Sequence, residues 1–290
     1  IIAAGMAVFG TDDAFGWRVG MALTGVALVV LTMLVAHRLF RSTALTVLAG
    51  GLMAIDGNAI VLSRVSILDT ALAFFALLGA YFVLLDRSWA DRRLVPWLAA
   101  RTASEKPTGW GPVFWWRPWL IAAAVAFGCA TAVKWSGLYF IAVFGLYTVV
   151  SDAFLRKRAG IEFWGTGTLL RQAPVNALLL LPLAAAVHLM TWIGWFSTEG
   201  GYNRRWIEDE GGTAWTGLLA WVPTDFQNWW HFQTVVMGYH VSENTPHTYQ
   251  ANPLTWLFLI RPTSMYYEGN PDGTAEAILD IANPLIWWGA

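Results

Sequence analysis

The sequence predicts an all-α membrane protein that crosses the bilayer several times. Of its 290 residues, 57% are hydrophobic and 13% are charged, whereas about 25% of residues are charged in an ordinary soluble domain. The mean hydropathy is +0.50. The 19 tryptophans suit the boundary between membrane and water, where the indole ring is enriched. These values exclude intrinsic disorder and disfavour a soluble globular protein.

Charge, cysteine content and motif spacing exclude several function classes. The formal net charge of −1 gives no basis for nucleic-acid binding, and the single cysteine, Cys129, cannot form an internal disulfide. His240 and His247 lie near Glu243. A zinc site of that spacing needs a continuous helix, which Pro246 would interrupt. The sequence also has no phosphate-binding loop and no nucleophile elbow. We therefore predict no metal ion and no nucleotide cofactor.

Six segments are apolar and long enough to cross a bilayer, which takes about 20 residues. They are predicted in four stretches: 17–39, 43–85, 118–151 and 173–198. The second and third stretches are too long for one crossing, so each is predicted to form a helical hairpin, with its turn at Arg64 or at Lys134. Apolar residues at the two ends, 1–9 and 278–290, are predicted to be partial segments.

The basic residues orient these segments in the membrane. Twelve of the 18 basic residues lie in three connections between predicted helices. These connections contain residues 38–41, 87–117 and 156–171. Because cytoplasmic loops are enriched in Lys and Arg, we place the three connections in the cytoplasm. The turns at Arg64 and Lys134 and the long segment 198–276 then face the opposite side.

The predicted domain order is a transmembrane helical core, an external region and the start of a further transmembrane helix. These parts cover residues 1–196, 197–276 and 277–290. The external region is rich in tryptophan, tyrosine and carboxylates. Aromatic faces and carboxylate acceptors suit sugar binding, but the same composition also fits an amphipathic layer that lies on the bilayer.

The cations at the two hairpin tips are the leading candidates for function. Arg64 and Lys134 share one membrane face at the level of the headgroups, where they suit an anionic headgroup. The alternative is that both side chains snorkel to lipid phosphates. Asp69 lies one turn beyond the first tip and is predicted to pair with Arg64. Asp56 is predicted to make a polar packing contact with Asn58, because an unpartnered carboxylate is costly in hydrocarbon.

Short motifs occur along almost the whole chain. They are Phe15-Gly16-Trp17-Arg18, Leu52-Met53-Ala54-Ile55-Asp56-Gly57-Asn58, Ser63-Arg64, Leu68-Asp69, Ala132-Val133-Lys134-Trp135-Ser136-Gly137-Leu138-Tyr139, Trp192-Ile193-Gly194-Trp195-Phe196, His247-Thr248-Tyr249-Gln250-Ala251-Asn252-Pro253, Arg261-Pro262 and Asn283-Pro284-Leu285-Ile286-Trp287-Trp288. In this combination and order, the chain resembles the protein O-mannosyltransferases, most closely their actinobacterial branch. The resemblance implies the arrangement of membrane helices of the GT-C glycosyltransferases.

The resemblance also implies an activity, transfer of mannose from polyprenyl-phosphate-mannose to Ser or Thr hydroxyls of secreted proteins. The reaction would take place at the external face of the plasma membrane, with the lipid-linked sugar donor as the cosubstrate. Membrane lipids, secreted acceptor proteins and the secretion machinery are the implied partners. Arg64 and Lys134 would hold the donor phosphate, supported by Asp69 and Trp135. Four further residues would line the donor or acceptor side: His240, His247, Asn252 and Arg261.

Two departures from the family pattern limit this interpretation. The catalytic acidic pair of the first external loop is not in the sequence, so we expect an internal piece whose general base lies upstream of Ile1 and which is inactive alone. Thr248 stands where the family has proline. The alternatives are another lipid-phosphate glycosyltransferase, of arabinose or aminoarabinose type, and a non-enzymatic transporter. A transporter would place charges near the bilayer midplane and often shows paired sequence halves.

The predicted topology can be tested by labelling single cysteines. In a Cys129→Ala background, an impermeant thiol reagent added outside intact cells should label Thr213→Cys and leave Ala103→Cys unlabelled, because the reagent cannot cross the bilayer. Labelling of both variants after permeabilisation is the control for accessibility. Labelling from outside at position 103 but not at position 213 would overturn the orientation.

Overall fold

The structure is a computed structural model that describes residues 1–289 and divides into two units. The first unit combines Ile1–His188 with the chain from Ala251 onward, and the second is Leu189–Gln250. Between Ile2 and Thr191, the helices are α1 (Ile2–Phe9), α2 (Ala14–Phe40), α3 (Thr43–Ala54), α4 (Gly57–Arg64), α5 (Leu68–Ala103), α6 (Pro118–Val133), α7 (Gly137–Arg158), α8 (Trp164–Gly167) and α9 (Ala173–Thr191). A π-helical turn, Thr168–Gln172, joins α8 to α9.

The remaining elements are short, with one exception. They are α10 (Ile193–Ser197), α11 (Trp206–Asp209), the 3₁₀ turn Gly217–Leu219, the longer α12 (Thr224–Ser242), the 3₁₀ turn Pro253–Phe258, β1 (Thr263–Gly269), β2 (Ala275–Asp280) and α13 (Pro284–Gly289). The predicted all-α class is confirmed, with one small antiparallel hairpin of β1 and β2 as the exception among the described residues.

The predicted number of six crossings is not confirmed. Four helical segments are long and apolar enough to span a membrane: Ala14–Phe40, Leu68–Ala103, Gly137–Arg158 and Trp164–Thr191. The pair α3 and α4 is bent by 57° and makes a fifth span if it is counted as one. Helix α6 is apolar but has only 16 residues. At 1.5 Å per residue it is about 24 Å long, less than a hydrocarbon core of about 30 Å.

The hairpin turns lie where polar residues interrupt the long apolar stretches. Helix α4 ends at Arg64 and α5 begins at Leu68, while α6 ends just before Lys134 and α7 begins at Gly137. The second turn is tight, since a Cβ atom on Gly137 would come within 2.5 Å of the Thr131 backbone nitrogen. A further break before α4 was not predicted from the sequence. The Asp56 side chain starts α4 by accepting a hydrogen bond from the Ala59 amide.

An apolar core holds α5, α6 and α7 together. The Phe127 ring is completely buried and stacks on the Phe144 ring, with 5.5 Å between the ring centroids. Gly79 of α5 makes room for it, because a Cβ atom there would approach the Phe127 ring to 2.3 Å. Close helix approach at a small residue is the usual packing of membrane helices.

A second, polar core lies around Arg117, which precedes α6. The Arg117 guanidinium is 1% exposed and contacts carboxylates from two helices, Asp86 of α5 and Asp152 of α7. Its Nη1 atom also donates to Asn176 Oδ1 of α9 at 2.8 Å. In the sequence, Arg117 is only one of the basic residues of the predicted cytoplasmic connection 87–117. Its contacts show that it links three helices.

The same network fixes the connection between α5 and α6. Arg156 is 2% exposed and donates to the backbone carbonyls of Trp110 and Pro112. Gln172 is fully buried, accepts from the Phe114 amide at 2.8 Å and donates to the Phe114 carbonyl at 3.2 Å. Side chains of α7 and of the π-helical turn before α9 therefore serve as hydrogen-bond partners of this loop in place of regular secondary structure.

The C-terminal part of the first unit corrects two predicted boundaries. Residues 277–280 belong to β2 instead of a membrane helix, and the following helix begins at Pro284. The turn of the hairpin is stabilised by Asn270 and Asp272, with Gly273 at a positive φ of 84°. The region predicted to be external, 197–276, contains residues of both units, because the division falls at Gln250. The chain after this point joins the first unit through a hydrogen bond from the Asn58 side chain to Asp280.

The second unit is held together by contacts between α11 and α12. The Trp206 indole stacks on the His231 ring at a centroid distance of 3.6 Å. The Asn228 side chain is completely buried and donates to the Arg204 carbonyl at 2.9 Å. Arg204 also pairs with Asp225, at 2.6 Å between Nη1 and Oδ1. Trp206, one of the tryptophans of the predicted external region 197–276, thus contributes to internal packing.

Removal of the buried guanidinium should strongly destabilise the protein. We expect Arg117→Gln to lower the free energy of unfolding by about 3–5 kcal/mol, because Asp86 and Asp152 would remain buried without their counter-charge. Chemical unfolding in detergent micelles measures the effect. The matched control is Arg92→Gln on exposed α5 surface, which should change the free energy by no more than about 0.5 kcal/mol. Equal unfolding midpoints of the two variants would contradict this role of Arg117.

Candidate functional site

The predicted cations lie at two helix ends, and an aspartate from a third helix joins one of them. Lys134 follows the last residue of α6, and its Nζ atom lies 3.2 Å from Oδ1 of Asp69 in the first turn of α5. The expected pairing of Asp69 with Arg64 is therefore wrong. The start of α5 packs beside the end of α6, so Asp69 meets the lysine of the neighbouring hairpin. Both side chains remain about half exposed, at 51% for Lys134 and 41% for Asp69.

Arg64 is the last residue of α4 and is exposed. Within residues 1–289 it forms no ion pair, so its charge is not balanced by a protein carboxylate. The turn after Arg64 is fixed to the start of α2, since the Ser66 hydroxyl donates to the Trp17 carbonyl at 2.9 Å. Arg18 stacks on the Trp17 ring at 4.4 Å. Arg18 is thus a third cation near this turn, which sequence reasoning did not select although it belongs to a quoted motif.

Asp56 and Asn58 have other partners than expected. The Asp56 carboxylate is 7% exposed and accepts hydrogen bonds from the Asn283 amide at 2.8 Å and the Trp287 indole at 3.2 Å. Asn58 instead donates to both carboxylate oxygens of Asp280, at 3.0 and 2.9 Å. The predicted contact between Asp56 and Asn58 is replaced by four hydrogen bonds to residues more than 200 positions away, which no local pattern reveals.

Asp280 is the carboxylate that this arrangement perturbs. Burial raises the pKa of the Asp280 carboxyl, which the hydrogen bonds from Asn58 oppose. The negative charges of Asp56 and Asp69 raise the pKa further, so the net shift is upward. Sequence reasoning missed Asp280 because it treated this stretch as part of an apolar membrane segment.

A cavity of about 390 Å³ lies beside the two carboxylates Asp56 and Asp69. Asn58 completes its polar side. The rest of the wall is mostly apolar and includes Leu28, Leu52, Met53, Leu62 and Ile286. Lys134 does not line the cavity and is connected to it only through its pair with Asp69. The apolar wall suits the hydrocarbon part of an amphiphile.

The other predicted site residues have local contacts and lie in different units. His240 on α12 and His247 are in the second unit, and Asn252 and Arg261 are in the first. Asn252 accepts from the Leu254 amide, and His247 Nδ1 accepts from the Tyr249 amide, so both stabilise turns. Arg261 adopts a positive φ of 56°. The last site candidate, Trp135, is 37% exposed in the turn next to Lys134.

Fold and site together define a multi-helix membrane protein with cations at the ends of two hairpins and an apolar cavity lined by Asp56 and Asp69. Residues 2–192 match the family described as dolichyl-phosphate-mannose-protein mannosyltransferase, and the chain belongs to this family. The match includes the cation site and both hairpins.

Curated relatives from actinobacteria support the same assignment. The chain is 33% identical over 298 residues to a protein of Corynebacterium glutamicum named polyprenol-phosphate-mannose–protein mannosyltransferase. It is 31% identical over 303 and 300 residues to proteins of that name from Mycobacterium tuberculosis and Mycolicibacterium smegmatis. Each alignment covers 99% of this chain but only 56–57% of the relative. No solved structure matches the chain significantly.

The partners of Asp56 predict a local effect of its removal. Asp56→Ala should speed hydrogen exchange of the Asn283 amide, because this partly buried donor loses its acceptor and the loss of such a bond costs about 1 kcal/mol. Hydrogen–deuterium exchange with mass spectrometry of peptides covering 281–289 measures the change. Asp69→Asn is the matched control, since Asp69 does not contact this segment in the described hydrogen bonds. Unchanged exchange in Asp56→Ala would contradict the assignment.

Proposed function

We propose that the protein transfers mannose from polyprenyl-phosphate-mannose to Ser or Thr hydroxyls of secreted proteins at the non-cytoplasmic face of the plasma membrane. Family membership and the names of the relatives support the donor and a protein acceptor. The observation that carries the proposal is the placement of Arg64 and Lys134 at hairpin ends, with an apolar cavity beside Asp69. An arabinose donor or a transport function has no comparable support.

In the proposed reaction the acceptor hydroxyl oxygen attacks the anomeric carbon of mannose. The bond from this carbon to the phosphate oxygen breaks, and polyprenyl phosphate leaves with both electrons. The hydroxyl proton passes to a general base. A donor phosphodiester carries one negative charge and the leaving phosphate carries a second, so fixed cations stabilise the transition state more than the ground state.

The two cations have different roles in this proposal. Arg64 has no carboxylate partner within residues 1–289, and its planar guanidinium can bind two phosphate oxygens at once. Lys134 shares its charge with Asp69. Asp69 is a positioning residue that holds Lys134 at the start of α5. Trp135 follows Lys134 in the turn between α6 and α7. Because Asp69 is engaged by Lys134, we do not assign it the role of general base.

Substitution of the cations in the full-length enzyme tests the phosphate site. Arg64→Ala and Lys134→Ala should each reduce mannosyl transfer by roughly 100-fold or more, the scale observed when one preorganised stabilising group is removed. Arg64→Lys should recover little activity if two phosphate oxygens are bound. The measurement is transfer of labelled mannose from polyprenyl-phosphate-mannose to a Ser/Thr-rich peptide.

Arg92→Ala on the exposed surface of α5 is the control for loss of a positive charge and should retain nearly normal transfer. Protein level and unfolding midpoint are compared for all variants. Near-normal turnover in Arg64→Ala at an unchanged protein level would rule out the proposed phosphate contact.

A further inference from the structure

A second cavity, of about 720 Å³, opens between the C-terminal halves of α2, α5 and α7. Its charged lining consists of four arginines and one aspartate: Arg38, Arg41, Arg87, Arg158 and Asp91. The formal charge of the lining is therefore +3. This cavity shares no lining residue with the cavity beside Asp56 and Asp69.

The positive charge of this cavity is not balanced inside the protein. Within residues 1–289, none of its four arginines forms an ion pair. Two of them are held by neutral hydroxyl groups. Arg38 donates to the Ser88 hydroxyl, and Arg87 donates to the Tyr147 hydroxyl at 3.3 Å. The hydroxyls orient the guanidinium groups and leave the net charge for an external anion.

The cavity lies one membrane thickness away from the proposed phosphate site. Asp69 and Arg87 are 18 positions apart on α5, which corresponds to about 27 Å. Trp17 and Arg38 are 21 positions apart on α2, or about 31 Å. A hydrocarbon core is about 30 Å thick. If one site faces the headgroups of one leaflet, the other faces the headgroups of the opposite leaflet.

Apart from Ser88, Tyr147 and Ser151, the uncharged wall of the cavity is apolar and partly exposed. Leu39, Val150 and Phe154 line it and are exposed at 55%, 43% and 55%. Leu84 and Leu94 extend the apolar surface along α5. An inorganic phosphate ion would leave most of this volume unfilled and this wall uncovered. A diacyl lipid fits both the charged and the apolar lining, because its headgroup carries the negative charge and its chains cover the apolar side chains.

We propose that this cavity binds the phosphodiester headgroup of an anionic phospholipid in the leaflet opposite the mannose donor. Arg38 and Arg87 contact the phosphate from α2 and α5, and Arg41 and Arg158 add long-range attraction from exposed positions. Basic residues near an anionic membrane surface each favour binding, and arginine adds directional hydrogen bonds to phosphate. The site is independent of the proposed transfer reaction.

Lipid retention by the purified full-length protein tests the proposal. The protein is incubated in micelles with equal amounts of phosphatidylglycerol and phosphatidylcholine, and native mass spectrometry measures the bound lipid. The wild type should retain phosphatidylglycerol in preference. The double substitution Arg87→Gln with Arg158→Gln should reduce this retention by roughly tenfold or more, since each charge contributes about a factor of five.

Two further variants separate the site from general charge effects and from misfolding. Arg92→Gln with Lys106→Gln removes the same charge from exposed residues that do not line the cavity and should leave retention unchanged. Asp91→Asn removes the one carboxylate of the lining and should increase retention. Equal retention of the two lipids, equal loss in both double variants, or complete displacement of phosphatidylglycerol by millimolar inorganic phosphate would each overturn the proposal.

Discussion

The arrangement of the helices depends on one buried guanidinium. Arg117 brings together carboxylates of α5 and α7 and an amide of α9, all of them nearly inaccessible to solvent. In a medium of low dielectric an incomplete network costs far more than a complete one gains, so the network permits essentially one relative placement of these helices. Arg156 and Gln172 extend it to the loop before α6. The apolar core around Phe127 then packs within a frame that the polar contacts define.

The helix arrangement fixed by Arg117 determines which residues meet at the helix ends. Because α5, α6 and α7 are fixed at one end by Arg117 and packed along their length by apolar residues, the start of α5 lies beside the end of α6. Asp69 and Lys134 can therefore pair although 65 positions separate them. Uncompensated arginines of the second cavity, Arg38, Arg87 and Arg158, lie in the C-terminal halves of α2, α5 and α7. Thus the lengths of α2 and α5 relate two positively charged surfaces across one bilayer.

Local patterns in the sequence predicted the hairpins but not the long-range partners. The turns at Arg64 and Lys134 follow from polar residues that interrupt apolar runs too long for one crossing. The sequence does contain a break signal at Asp56-Gly57-Asn58, but the apolar run resumes at Ala59, and this favours one continuous helix up to Arg64. Asp69 was assigned to Arg64 by proximity in sequence. Its partner comes from another hairpin, and only the packing of α5 against α6 determines that choice.

The sequence also does not distinguish a buried arginine from an exposed one. The positive-inside rule treats every arginine in a loop alike, so Arg117 and Arg92 were equivalent in the sequence. In the structure Arg92 is exposed and Arg117 is 1% exposed. The strand β2 was missed for a related reason, because its apolar residues were read as the start of a membrane helix. Of the site, the sequence therefore predicted the cations, and the structure adds Asp280, Arg18 and the cavity.

The weakness of the pair between Lys134 and Asp69 fits the proposed chemistry. Solvent-exposed ion pairs contribute only about 0.2–1 kcal/mol, so a lysine in such a pair remains available to a stronger anion. A donor phosphodiester has one negative charge, comparable to that of Asp69. The departing phosphate monoester gains a second, and it then competes better for the lysine than the aspartate does. In the proposed reaction Asp69 would thus hold Lys134 in place before the bond breaks, and the lysine would bind most strongly when the charge on the leaving group is largest.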